Sequence, residues 1–77
     1  MKDLIVYLAR SLVEQPDAVE VSEYQDGDET VYELKVAPDD LGKVIGKQGK
    51  TARALRALLS AAASKKNFRA ALEILDD

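Results

Sequence analysis

Two glycines separated by two polar residues, Gly46-Lys47-Gln48-Gly49, stand between a short apolar stretch ending in Val44-Ile45 and a longer run made of Ala52, Leu55, Leu58, Leu59, Ala62 and Ala63. The longer run recurs every three or four residues, the period of a helix buried along one side. Before it, Pro38-Asp39-Asp40 opens a short helix expected to reach about Ile45, since Pro suits a first helical turn and Asp can cap free amides and oppose the dipole. The chain must therefore carry two helices joined by a tight glycine turn, and the remaining elements have to accommodate that joint.

The rest of the pattern is short. Leu4, Ile5, Leu8, Leu12 and Val13 predict an amphipathic helix from about Asp3 to Glu14, closed by Pro16, which biases Gln15 away from helical geometry. Val19 and Val21 alternate with Glu20 and Ser22. After Asp26-Gly27-Asp28-Glu29, Tyr32, Leu34 and Val36 alternate with Glu33 and Lys35, so the two runs read as a hairpin around an Asp-Gly turn. Ser64-Lys65-Lys66-Asn67 reads as a linker, and Phe68, Ala70, Leu72 and Ile74 alternate as a third strand. The order is helix, strand, strand, helix, helix, strand. A hairpin pair is antiparallel, and a right-handed crossover through two helices sets the second and third strands parallel. The expected fold is α+β, with a three-stranded mixed sheet and helices on one face, in a single domain spanning residues 1–77.

Charge is segregated along this order. Eight of the eleven basic residues (Lys43, Lys47, Lys50, Arg53, Arg56, Lys65, Lys66 and Arg69) fall between Leu41 and Leu72, a stretch with no Asp or Glu. All fourteen acids lie in the remainder, against Lys2, Arg10 and Lys35, so the net charge of −3 averages a segment of +8 with a body of −11. A basic segment of this kind is either a polyanion-binding face or the solvated side of a helix.

Cysteine and histidine are both absent, which removes thiolate chemistry, the commonest general base and the commonest metal ligand. Ser11, Ser22, Ser60 and Ser64 lack the context of a nucleophile, and Asp39-Asp40 and Asp76-Asp77 read as a helix cap and a frayed terminus rather than metal ligands. No enzyme, cofactor or small-molecule substrate is expected. The first residues lead into Arg10 and Glu14 rather than an apolar run, so the expectation is a cytoplasmic protein without membrane contact. A domain this small without disulfide or metal sits near the lower limit for one core, which favours self-association or a partner.

Gly49-Lys50-Thr51 has the ending of a Walker phosphate loop, but the glycine required five residues before Gly49 is Val44, and a helix rather than a strand leads in. What remains is a loop that lets a nucleic-acid backbone approach closely, with free amides and a helix dipole that favour phosphate. Lys47, Lys50 and Arg53 add charge, and Val44, Ile45 and Leu55 are candidates for an apolar floor beneath unstacked bases. The same glycines would also serve a plain helix–helix turn.

Val44-Ile45-Gly46-Lys47-Gln48-Gly49 between two helices, in this element order, resembles the KH domain of the type II arrangement, whose Gly-x-x-Gly loop clamps about four nucleotides. Val36 to Gly49, then Ala54-Leu55-Arg56 and Ala61-Ala62-Ala63, is similar to the small stand-alone bacterial KH proteins of the KhpA type, and the similarity spans the chain. The resemblance implies that Gly46 and Gly49 shape the clamp, that Lys47 and Gln48 form its tip, and that Gly42, Lys43, Ile45, Lys50, Thr51, Arg53 and Leu55 flank the groove. One departure is Ala52, where the wider pattern usually has Ile, and the Ser64–Asn67 linker, the opposite wall in type II domains, is short; both favour weak, low-specificity binding. The implied function is non-enzymatic binding of single-stranded RNA as a post-transcriptional chaperone or regulator. Implied partners are a second copy or a larger bacterial KH protein. A protein-interaction or dimerisation module on the same fold, and single-stranded DNA as the ligand, are the alternatives.

Overall fold

The computed structural model describes residues 1–76, so Asp77, half of the expected frayed pair, lies outside it. Helix α1 spans Lys2–Leu12 and buries Ile5 and Ala9. It stops sooner than expected: Val13 is already extended (φ −102°, ψ 162°), and Pro16 opens a separate single 3₁₀ turn, Pro16–Ala18. The reason is a contact distant in sequence. The amides of Glu14 and Gln15 leave the helix to donate to the Asp40 carboxylate, at 3.2 and 3.0 Å.

Strands β1 (Glu20–Asp26) and β2 (Glu29–Lys35) form the hairpin, paired from Glu20↔Lys35 to Asp26↔Glu29 around Gly27-Asp28. A 3₁₀ turn, Pro38–Asp40, runs into α2 (Leu41–Ile45), and after the glycine loop α3 spans Lys50–Lys65. Strand β3 (Arg69–Ile74) pairs parallel with β2, giving the order β1-β2-β3. The expected mixed sheet is therefore present. Ile5 and Ala9 of α1, Val44 of α2 and Leu59 of α3 meet Val21, Tyr32, Leu34 and Leu72 in one cluster, so all three helices cover the same face.

The predicted linker is shorter than Ser64–Asn67, because α3 continues through Lys65. Its end is a Schellman closure: Asn67 takes a left-handed φ of 62°, its amide donates to the Ser64 carbonyl, and the Phe68 amide donates to the Ala63 carbonyl. Phe68 then packs against the core.

Among the described residues no helix covers the opposite face of the sheet. There Tyr24 of β1 reaches across β2 to donate its hydroxyl to Glu73 of β3 at 2.9 Å, over the buried Val31. That hydrogen bond favours the protonated phenol, so the Tyr24 pKa lies above the ordinary tyrosine value of 10. At the exposed edge of β3, Arg56 of α3 donates its Nε to the Leu72 carbonyl at 3.2 Å, occupying an acceptor that an edge strand would otherwise leave open. Among the described residues no helix is long and apolar enough to cross a membrane.

Candidate nucleic-acid interface

The loop's shape is set by Gly46. Its φ of 76° and ψ of 172° turn the chain out of α2, and its amide closes that helix on the Gly42 carbonyl at 2.8 Å. A Cβ at Gly46 would run into the Thr51 side chain and lie 2.8 Å from the Thr51 backbone nitrogen, so no larger residue fits without displacing the first turn of α3. Lys47–Gly49 then form one 3₁₀ turn. Gln48 (φ 58°, ψ 25°) and Gly49 (φ 76°, ψ 13°) are both left-handed, an arrangement that is mildly unfavourable at Gln48 and easy at Gly49.

The turn delivers the chain into α3 with Gly49 as its N-cap and no side chain on the free amides. The Gly49 and Lys50 amides are taken up within the turn, donating to the Gly46 and Lys47 carbonyls, so what the start of α3 adds to the loop is the positive end of a four-turn helix dipole. Lys47, Gln48, Lys50 and Arg53 are exposed around it, with Thr51 half-buried. The Arg53 guanidinium is the group nearest to where a Gly49 Cβ would be, at 3.8 Å. Among the described residues Lys47, Lys50 and Arg53 make no ion pair. The arrangement can attract an anionic backbone by the helix dipole and the exposed cations together.

Lys43 stands apart from this group. Its ammonium lies 3.7 Å from Glu14 and 3.8 Å from Asp40, so its charge is partly balanced within the protein. Gly42 is exposed, and a Cβ there would meet nothing within 4 Å. The expected apolar floor is mostly absent. Val44 is fully buried and Leu55 packs against the core, so both are structural, leaving half-buried Ile45 beside the loop. Ala52 is buried too, so its small size reflects close packing rather than a shallow floor.

Two features were not visible in the residue pattern. Asp40, expected with Asp39 to cap its own helix, makes no cap there and is buried instead, receiving the amides of Glu14 and Gln15. Arg56, counted with the basic segment, is committed to the β3 edge. A signal for Asp40 existed only in its company, an acid placed directly before the apolar positions of α2; nothing local signalled the Arg56 contact. Among the described residues no three acidic, His or Cys side chains gather where a metal ion could sit.

The family described as the KH domain of KhpA and KhpB matches residues 2–74. The chain is 54% identical to the RNA-binding protein KhpA of Halalkalibacterium halodurans, over 99% of this chain and all of that one. It is 52% identical to the protein of the same name from Clostridium acetobutylicum, over 97% of this chain and all of the relative, and 44% identical to that from Chlamydia caviae, over 100% and 99%. No solved structure matches. With both the element order and nearly every residue accounted for, the chain belongs to the KhpA/KhpB family of KH-domain proteins.

Proposed function

We propose that this protein is a cytoplasmic, single-domain binder of single-stranded RNA that acts after transcription as a chaperone or regulator, gripping the RNA backbone with Gly46-Lys47-Gln48-Gly49. The observation that carries the reading is the loop itself: a left-handed turn with no side-chain cap at the start of α3, ringed by Lys47, Lys50 and Arg53, which make no ion pair among the described residues. Phosphate contacts of this type supply affinity that is sequence-independent and weakened by salt. The names of the KhpA relatives support RNA as the ligand. Gly42, Ile45 and Thr51 flank the grip, and Lys43 joins it only by leaving Glu14 and Asp40.

The test is a paired substitution, Lys47→Asp with Gln48→Asp, measured by fluorescence anisotropy on one oligonucleotide made as RNA and as DNA. Aspartate tolerates the left-handed conformation of position 48, so the circular-dichroism melt should be kept. RNA affinity should drop roughly tenfold or more, about 1.4 kcal/mol. Unchanged affinity would remove the loop from binding, and equal affinity for the DNA strand would make the ligand single-stranded nucleic acid in general.

A second reading, partner docking, has its own observation. Ala54, Leu58, Ala61 and Lys65 form an exposed stripe of α3, Leu58 is 53% exposed, and the neighbouring cleft is lined by Leu4 and Leu8 of α1 with Leu58, Ala61 and Ala62. We assign this face to a second copy of the chain, with a larger bacterial KH protein as the competing occupant.

A further inference from the structure

Arg56 is exposed on α3, yet its guanidinium is held in place: Nε donates to the Leu72 carbonyl of β3 at 3.2 Å. That acceptor points away from the sheet. The Leu75 amide donates to the Leu34 carbonyl at 2.9 Å, so in this parallel register Glu73 and Leu75 turn their backbone groups to β2, and Leu72 turns its own to the free edge. The guanidinium therefore stands beside that edge, next to Ala52 and Leu59, its buried neighbours one turn to either side on α3.

This contact uses one flank of the side chain and leaves its end open. Arginine carries its N–H donors in a fixed plane, with Nε on the flank and the Nη groups at the tip. The Nη groups of Arg56 make no hydrogen bond or ion pair among the described residues, and the segment from Leu41 to Leu72 supplies no carboxylate for them. Parallel N–H groups of this kind fit the paired oxygens of a phosphate. A fork already pinned through Nε also loses less freedom on binding than a loose side chain does.

The spacing from the loop gives the fork a place on a bound strand. Lys50, Arg53 and Arg56 follow one another at steps of three, each step about 60° short of a full turn and about 4.5 Å further along the helix. They cross α3 diagonally, from the end of the glycine loop to the β3 edge. Arg53 starts this line close to the loop, its guanidinium 3.8 Å from where a Gly49 Cβ would be. Straight along the helix, the exposed positions that follow Arg53 are Ala57 and Ser60, which carry no charge. An anionic strand leaving the loop thus meets its next cation on the diagonal.

We propose that Arg56 is a second phosphate receptor for the bound strand: held by the Leu72 carbonyl, its Nη fork takes a phosphodiester beyond the glycine loop. The proposal rests on the RNA-binding reading and adds to it a residue and one fixed phosphate.

The experiment uses the full chain and a labelled uridine oligomer, read by fluorescence anisotropy over a range of salt, with a neutral methylphosphonate placed at one linkage at a time. Neutralising the linkages at the loop, and one linkage beyond them, should weaken binding to the unaltered protein. Arg56→Gln should weaken binding of the parent oligomer about fivefold, the upper range of an exposed ion pair. It should also lower the slope of log K against log salt by about 0.7, the share of one phosphate on a single strand. The further linkage should then become indifferent to neutralisation, while the loop linkages still matter. Arg56→Lys, which keeps the charge without the planar fork, should keep the slope and reduce the penalty at that one linkage. Should Arg56→Gln fail to fold by circular dichroism, Arg56→Lys decides alone. Unchanged affinity in Arg56→Gln, or a penalty at the further linkage that is undiminished in the folded variants, overturns the receptor while leaving loop binding intact. If the unaltered protein binds the oligomer no better than the Lys47→Asp, Gln48→Asp variant does, the RNA reading itself fails, and the receptor with it.

Discussion

At Gly46 the fold and the proposed contact make the same demand, whereas at Gly42 they make different ones, and the contrast separates structural glycines from functional ones. Gly46 has a left-handed φ and no room for a Cβ beside Thr51, so Gly46→Ala should lower the melting temperature sharply whatever the protein binds. Gly42 lies inside α2 with open space around it. Alanine is the better helix former by about 0.5–1 kcal/mol, so Gly42→Ala should raise the melting temperature by a few degrees. If RNA backbone passes over α2, the added methyl occupies the space the strand needs, and affinity should fall even as stability rises. A more stable variant with unaltered RNA affinity would take Gly42 out of the contact surface. The family resemblance marked both glycines but had no means of telling these roles apart, because the difference is a steric one between Gly46 and a residue five positions later.

Asp40 shows where reading by elements reaches its limit. The periodicities gave α1, the hairpin, α3 and β3 with small errors of boundary, since each rests on which local side chains face the core. Where α1 ends depends instead on a carboxylate 25 and 26 positions away, and no local pattern encodes that. Helix α2 has only five residues, too few to hold itself together. It is anchored by Val44 in the core and by Asp40, and it ends on the glycine that starts the loop. Asp40→Ala would leave two amides without their acceptor and remove one of the two anions beside Lys43. The expected loss is about 2–3 kcal/mol, and at about 4–8 °C per kcal/mol for a domain of this size it should be plain in a thermal melt. The amides of Glu14 and Gln15 should also exchange with deuterium much faster than in the unaltered protein. A melt within a degree of the original would mean that the buried carboxylate contributes specificity of shape and little stability.

For the whole molecule, the division into a basic segment and an acidic body becomes a division of surfaces. The basic groups surround the loop and run along α3, while the open face of the sheet presents Ser22, Glu33 and Glu73 around Tyr24. Nothing in the residue order foretold which exposed face of α3 would be apolar, because Ala and Leu occur on several sides of it and only the position of α1 decides which are covered. The stripe through Leu58 lies on a different side of α3 from the one through Arg53 and Ser60, so a second copy could dock there without covering either loop. Leu58 projects beside a cleft lined by Leu4, Leu8 and Ala62, so a two-fold axis would let each Leu58 enter the other copy's cleft. Leu58→Glu keeps a good helix former at an exposed position, so the monomer should remain folded. Sedimentation should show a dimer for the unaltered protein at about tens of micromolar and a monomer for the variant. The RNA readout then distinguishes an assembly role from a folding one. Affinity for an oligomer long enough to reach two loops should fall by roughly 10²-fold with the loss of avidity, while affinity for one that fills a single loop should stay the same. A strict monomer before substitution, or equal loss on both lengths, would transfer this face to a different partner.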